Sequence, residues 1–150
     1  MITRMFHLFH SSDRYEDELI WAAAWLYRAT GDNGYLTKAE DMYASRGQTW
    51  TSWSFDWADK MAGAQLLLFE LTGDQKYKTD VESFCDYAMG INKSPKGQTH
   101  LAQWGSNRYA SNFAFICLGV ILIYYSLEVS HYQFLGCQCW NKNRGIHSIC

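Results

Sequence analysis

The feature that most constrains this chain is an internal repeat with a period of 42 residues. The segment LYRATGDNGY (26–35) matches LFELTGDQKY (68–77), and Asp17 and Asp59 stand at the same offset near the start of the two copies. A repeat of this length is typical of a supersecondary unit that cannot bury its hydrophobic face alone. The repeat therefore predicts a core built from successive similar units.

Each copy predicts a pair of helices joined by a tight turn. The first helix, about residues 17–29, is apolar on nearly every side, so we expect it to be buried on most of its surface. The second, about residues 35–44, carries a single apolar stripe at helical spacing. Each turn holds a glycine that suits the end of one helix and an aspartate that can cap the next. These residues are Gly31 and Asp32 in the first copy and Gly73 and Asp74 in the second. An alternation of buried and amphipathic helices is typical of an inner and an outer ring, or of a solenoid.

One further helix is predicted after the second copy. It follows a loop with the only proline (94–97), begins near Ser106 and continues to about Tyr125. Its apolar run, residues 113–125, is shorter than the roughly 20 residues that a membrane span needs. We therefore expect a buried core helix and no membrane partner.

The five cysteines fall into two groups. Cys85 and Cys117 stand in apolar helical segments, which predicts packed thiols. Cys137, Cys139 and Cys150, with a nearby histidine, could be drawn as a zinc site, but their spacing matches no common ligand pattern. Because the sequence after about residue 125 has no helical period, we expect an unstructured tail.

Composition narrows the function classes. A chain of 150 residues that is 48% hydrophobic is long and apolar enough for one domain with a sizeable core. A net charge of −2 argues against a nucleic-acid partner, because such proteins usually carry a basic surface. The first twelve residues lack the apolar run of a signal peptide. Aromatic residues make up 17% of the chain, which favours a thick core, a stacking surface, or both.

The acidic run at residues 15–18 leaves three roles open. Carboxylates suit the positive end of a helix dipole, so a helix N-terminus is the simplest role. An acid/base pair is disfavoured, because adjacent helical residues such as Asp17 and Glu18 point about 100° apart. A hard cation such as calcium is easier to bind, because neighbouring loop carbonyls can complete its oxygen ligands.

Tryptophans and an arginine form a second candidate site. Trp50, Trp53 and Trp57 stand within eight residues and alternate with Ser, Thr and Asp. Flat indole faces with polar neighbours suit a sugar ring, and the alternative is that these indoles close the end of a helix bundle. Trp104 and Arg108 lie four residues apart and would be neighbours on one helical face. Arg108 offers five donors to hydroxyls or a carboxylate, and its alternative is an ordinary surface ion pair.

Four segments together carry a family resemblance. They are YEDELIWAAAWLYRATGD (15–32), WADKMAGAQLLL (57–68), SPKG (94–97) and WGSNRYASNFAF (104–115). The second is similar to a W-D-D-K segment with its following helix, and the third resembles a T/S-P-K-G turn. The fourth resembles a W-G-x-x-R-Y-A-A-N-x-A-F block. In this order they resemble glycoside hydrolase family 9, the endoglucanases that cleave β-1,4-glucan.

The resemblance implies an all-α fold, an (α/α)6 barrel of twelve helices in two rings, of which about five would be present here. It implies a partial catalytic domain at residues 11–118, with divergent ends at 1–10 and 119–150. It also implies that Trp53, Trp104 and Arg108 line a cleft for cellulose or cello-oligosaccharide.

The same resemblance implies a structural calcium ion. Asp17 and Glu18 would be its ligands, helped by the loop around Asp13 and Arg14 and by the W-D-D-K segment. Ala58 stands where the family has an Asp that contributes to this site. No other cofactor is implied.

Catalysis in this family is hydrolysis with inversion, which needs a general acid and a general base. The family takes its base from an Asp-Ala-Gly-Asp motif and its acid from a Glu in an N-E-V-x-x-D-Y-N-A-like motif. Neither motif occurs in these 150 residues. We therefore expect a fragment with no catalytic residue and no activity alone. The alternatives are a non-catalytic glucan-binding remnant and a helical-repeat interaction scaffold. Family resemblance alone implies secretion.

Overall fold

The computed structural model describes residues 15–46 and 52–142, with residues 128–142 described by their backbone only. The described ranges contain five helices, and their only β pairing is an isolated antiparallel bridge between Lys93 and Thr99. The helices are α1 (Glu16–Thr30), α2 (Asn33–Arg46), α3 (Met61–Thr72), α4 (Gln75–Gly90) and α5 (Ser106–Lys142). The predicted all-α class is confirmed.

The two turns of the repeat are near copies of each other. Gly31 ends α1 with φ 71° and Gly73 ends α3 with φ 68°, and each donates its N–H at 2.8 Å to the carbonyl four residues earlier. The aspartates then cap the following helices. Asp32 Oδ1 accepts from the Gly34 N–H at 2.8 Å, and Asp74 Oδ1 accepts from the Lys76 N–H at 2.9 Å. The predicted stop and start signals are confirmed in both copies.

The inner and outer character of the second hairpin is also confirmed. Helix α3 is buried on nearly every side between Met61 and Phe69, whereas α4 buries one stripe. That stripe consists of Tyr77, Val81, Phe84 and Ala88. Helices α1 and α3 pack together, and each also packs on the second helix of its own hairpin. The Arg28 guanidinium and the Glu70 carboxylate, at equivalent repeat positions, pair across α1 and α3 at 2.5 Å.

A buried polar network joins the two hairpins. The Tyr43 hydroxyl of α2 donates to Asp80 Oδ2 of α4 at 2.5 Å and accepts from Gln65 Nε2 of α3 at 3.2 Å. The rings of Tyr43 and Tyr77 meet edge to face at 5.0 Å. Burial raises the pKa of Tyr43 far above its ordinary value, so this phenol stays protonated and keeps its donor.

Helix α1 is less buried than its sequence predicts. Ile20, Ala23 and Ala24 are buried in the core. Leu19 and Trp25, on the opposite side, are exposed. The expectation of burial on most sides is therefore wrong for the described residues, because α2 and α3 cover only one face of this helix.

The helix predicted after the second copy of the repeat is α5. The sequence predicts that it is buried in the core, and this is confirmed for only one of its faces. Phe113, Ile116 and Val120 lie in a core cluster with residues of α3 and α4, whereas Phe115 and Leu118 are exposed. Ser106–Leu127 is long and apolar enough, by length and composition alone, to cross a membrane. It is the one such helix in the described part of the chain, and the absence of a membrane partner stays a prediction.

The chain divides into two compact units, residues 1–120 and 121–150. In the second unit the helix continues without a break to Lys142. The expected unstructured tail is therefore wrong up to that residue, because the segment contains no proline and only one glycine to end a helix. The cysteine side chains proposed as an alternative zinc site lie outside the described residues.

Cys85 of α4 and Cys117 of α5 are joined in a disulfide, with their Cα atoms 5.7 Å apart. The prediction of two packed thiols is therefore wrong. Each cysteine sits beside the core cluster rather than inside it, which brings the two sulfur atoms together across the helix–helix contact.

Candidate functional site

The loop before α3, residues 52–60, carries Trp53 and Trp57 and is called the tryptophan loop here. Hydrogen bonds among its own polar residues hold it in place. The Ser52 hydroxyl donates to the Ser54 carbonyl at 2.6 Å, and both serines are buried. Asp56 Oδ1 accepts from the Ala58 N–H at 2.8 Å, and the Asp56 N–H donates to the Asp59 carbonyl at 3.0 Å. The loop is therefore a folded turn with its own hydrogen bonds.

Two indoles of this loop are exposed. Trp53 stands between the buried serines and is 50% exposed, and Trp57 is 42% exposed. That the indoles face a ligand, rather than close the end of the bundle, stays a prediction. Trp50 lies outside the described residues.

The loop is anchored to the helices by two aspartates at equivalent repeat positions. Asp17 of α1 accepts the Lys60 N–H on Oδ2 at 2.6 Å, and Asp59 accepts the Met61 N–H on Oδ1 at 3.0 Å. Both side chains are buried. These two bonds cap the first turn of α3, so the repeat places its aspartates where orphan N–H groups need acceptors.

The start of α5 forms the other half of the candidate surface. Gly105 has a φ of 72°, and its carbonyl accepts from the Arg108 N–H at 2.9 Å. Trp104 precedes this turn and is 76% exposed. The spacing predicted that Trp104 and Arg108 share a helical face. They do not, because the helix begins only at Ser106, after Trp104.

Tyr109 joins the two halves. Its buried ring lies 6.1 Å from the Trp53 ring, measured between centroids, and 4.6 Å from the guanidinium carbon of Arg108. Arg108 Nη2 also donates to the Tyr109 hydroxyl at 2.8 Å. Arg108 makes no ion pair with any described residue.

Two of the three predicted glucan-contacting residues therefore meet on one tyrosine. Trp53 and Arg108 come together there, while Trp104 stands one turn before Arg108 without a contact to Trp53 among the described side chains. Sequence reasoning missed Tyr109, although it is the residue directly after Arg108 in the W-G-x-x-R-Y segment.

The acidic run at the start of α1 contains one unsatisfied oxygen. Asp17 is fully buried, and its Oδ1 has no hydrogen-bond partner among the described residues. Burial, followed by the negative charge of Asp17, raises the pKa of Glu18. A bound cation would relieve both conditions, so these two carboxyls fit calcium as donors.

The rest of a calcium site is less well provided. Ala58 has no side-chain oxygen, and Asp13 and Arg14 lie outside the described residues. Within the described ranges, no group of three or more His, Cys, Asp or Glu side chains could hold a metal ion. The remaining ligands would have to be main-chain carbonyls and water.

Repeated helical hairpins, with a buried and an amphipathic helix in the second copy, define the class of α-helical repeat folds. The chain matches the sequence profile of glycosyl hydrolase family 9 over residues 3–135, and it belongs to that family. This match is wider than the resemblance seen at residues 11–118.

Individual relatives agree with this assignment. The chain is 44% identical over 116 residues to endoglucanase B of Cellulomonas fimi, a match that covers 69% of this chain and 11% of that protein. The structure is similar to that of an endoglucanase from the termite Nasutitermes takasagoensis, with a TM-score of 0.74 and 43% identity over 88% of this chain and 30% of that one. It is also similar to endoglucanase CelQ from Clostridium thermocellum complexed with cellotriose, with a TM-score of 0.68 and 35% identity over 75% of this chain and 21% of that one.

These relatives define the fold as part of an (α/α)6 barrel. The described chain supplies five helices of that barrel, as the resemblance implied. It spans between about a tenth and a third of the length of the relatives it matches.

Proposed function

We propose that this chain forms one wall of the glucan cleft of an endo-1,4-β-glucanase that hydrolyses internal bonds of cellulose with inversion. The observation that carries the proposal is that two exposed residues, Trp53 and Arg108, both contact the ring of Tyr109. The structure of CelQ complexed with cellotetraose supports a β-1,4-linked glucan as the ligand class.

Each group has a definite part in binding. The Trp53 and Trp104 indoles offer flat apolar faces to the CH faces of glucose rings. Arg108 uses one nitrogen on the Tyr109 hydroxyl and retains other N–H donors for sugar hydroxyls. The Tyr109 contact fixes the guanidinium, so less side-chain entropy is lost when a sugar binds.

Hydrolysis needs two carboxyls placed on either side of the bond to be cleaved. Inversion requires them to be separated widely enough to admit a water molecule. Asp17 of α1 and Asp59 before α3 are buried and already accept backbone N–H groups. Together with the missing motifs, this predicts glucan binding without turnover by the 150-residue chain.

The test is a titration with cellotetraose followed by intrinsic tryptophan fluorescence. We expect saturable binding, and we expect Trp53→Ala or Trp104→Ala to raise Kd about fivefold, which corresponds to roughly 1 kcal/mol of stacking. Trp25→Ala is the matched control, because Trp25 is a comparably exposed indole on α1 beside Arg28. No binding, or equal effects of the three variants, would refute the assigned surface. Release of reducing sugar by the purified chain would refute the predicted inactivity.

We also propose that Asp17 and Glu18 contribute oxygens to a calcium ion that stabilises the start of α1. The buried, unpartnered Oδ1 of Asp17 and the raised pKa of Glu18 support this role. When bound, the ion would supply charge neutralisation and no chemical step. Because Ala58 lacks an oxygen, we expect weak binding, which thermal stability with and without calcium can measure.

Secretion is the proposed location. The Cys85–Cys117 disulfide supports it, because such bonds persist in oxidising compartments and are rare in reducing ones. Quantifying free thiols in the protein from its native source would test it, since a fully reduced pair would point to a reducing compartment.

A further inference from the structure

The part of helix α5 within the first unit, which carries Arg108 and Tyr109, packs on α3 and α4 mainly through one face. Phe113 packs against Phe84 of α4, with ring centroids 5.2 Å apart. The Asn112 side-chain amide donates to the Phe55 carbonyl at 2.5 Å. Further round the helix, Phe115 is 64% exposed and stacks on Phe55, with ring centroids 6.4 Å apart. Most of the attachment of α5 therefore lies on one face, and a crosslink beside that face adds a covalent limit to how far the helix can shift or rotate.

The disulfide lies beside this attachment. Cys85 follows Phe84 directly on α4, and Cys117 stands one helical turn after Phe113 on α5. Arg108 lies nine residues before Cys117, or about 14 Å along the same helix. A helix transmits a constraint over that length, so a crosslink at Cys117 fixes both the rotation and the axial position of Arg108.

We propose that the Cys85–Cys117 disulfide is a positioning device for the glucan surface, which holds Arg108 and Tyr109 of α5 against Trp53. This inference rests on the proposed function. It makes glucan affinity dependent on the oxidation state of a bond that contacts no sugar.

The chemical step is a two-electron reduction. A dithiol such as dithiothreitol donates two electrons and two protons, the S–S bond breaks, two protein thiols form, and the reductant becomes a cyclic disulfide. Reduction removes the covalent link between α5 and α4, leaves their apolar contacts in place, and removes no side chain of the sugar surface.

The experiment uses the full chain with Cys137, Cys139 and Cys150 replaced by Ser, so that Cys85 and Cys117 are the only thiols. Cellotetraose affinity, far-UV circular dichroism and near-UV circular dichroism are measured before and after reduction. We expect Kd to rise about tenfold, as it does when the binding-competent arrangement falls to roughly a tenth of the molecules. We expect the far-UV signal to stay unchanged.

The near-UV signal gives a readout that needs no sugar. The disulfide itself contributes to this signal, so only the part of the change that Trp53→Phe removes reports on the ring pair. The Trp53 and Tyr109 rings are close enough to couple, so we expect that part to be substantial. The double variant Cys85→Ala/Cys117→Ala should show the reduced affinity and no response to reductant.

The outcomes distinguish the positioning role of the disulfide from the proposed glucan-binding function. Equal affinity in both states, or a near-UV change that Trp53→Phe leaves intact, would overturn the positioning role, as would tight binding by the double alanine variant. Loss of the far-UV helical signal on reduction would also overturn it, because the bond would then merely keep the chain folded. An oxidised chain that binds no cellotetraose but still shows the redox change at Trp53 would refute the proposed function and leave the positioning role standing.

Discussion

Replacing Gly63 with alanine should destabilise the tryptophan loop through a clash that the structure makes measurable. A Cβ at this position of α3 would lie 2.5 Å from Cε2 of Phe55 and 2.7 Å from Cζ3 of Trp21. Carbon atoms rest about 3.5 to 4.0 Å apart, so each ring would have to move by roughly 1 Å. Glycine is therefore required here for close approach rather than for its backbone freedom.

Each ring would have to move against a neighbouring ring. Trp21 meets Trp25 edge to face at 5.6 Å, and Phe55 stacks on Phe115 with centroids 6.4 Å apart. Overpacking of this kind costs typically about 1 to 3 kcal/mol. Alanine recovers up to about 1 kcal/mol of helix propensity. The net loss of stability therefore lies between about 0 and 2 kcal/mol, and the two simultaneous ring clashes favour the upper half of that range.

Urea unfolding followed by tryptophan fluorescence measures this loss as a lower midpoint at constant slope. Gly119→Ala is the matched control, because its Cβ would meet only the end of the flexible Leu66 side chain, at 2.7 Å. We expect this control to be close to neutral. If Gly63→Ala were as stable as the parent chain, or no worse than Gly119→Ala, the packing argument would be wrong.

Three further outcomes are expected. In the presence of EDTA, Asp17→Ala should lower stability by roughly 1 to 3 kcal/mol, because it leaves the partly buried Lys60 N–H without its acceptor. An unchanged urea midpoint would contradict this. Tyr43→Phe should lower the free energy of unfolding by about 1 to 2 kcal/mol, because Asp80 loses a hydrogen-bond donor inside the network. A change of less than about 0.3 kcal/mol in the same assay would show that water replaces the phenol. Calcium at about ten times a millimolar Kd should raise Tm by roughly 3 to 6 °C, and EDTA should reverse the shift. Glu18→Gln should reduce the shift, and an equal shift in that variant would exclude Glu18 as a ligand.

The parts of the fold that the sequence predicts well are those that depend on neighbours along the chain. The helix ends at Gly31 and Gly73 need only a left-handed residue, and the caps at Asp32 and Asp74 reach N–H groups two residues away. Such interactions recur wherever the local pattern recurs, so the repeat predicts them twice.

The parts that the sequence does not predict depend on contacts between distant residues. Cys85 and Cys117 are 32 residues apart, and nothing in five cysteines says which two will meet. Tyr109 belongs to the site only because α5 brings it against Trp53, which is 56 positions earlier in the chain. In both cases the missing information is the placement of α5.

The apolar character of α1 and α5 is best understood from the barrel to which they belong. An inner-ring helix has neighbouring helices on both sides, so its sequence is apolar nearly all round. This pattern is present in the sequence even where only some of those neighbours are in the chain. The described residues cover one side of each helix and leave Trp25 and Phe115 exposed on the other. Length and composition would also let α5 cross a membrane, but its buried face, its disulfide and the Asn112 bond to Phe55 are contacts of a packed helix. The exposed stripes therefore indicate where further barrel helices pack in longer relatives, of which this chain spans less than a third.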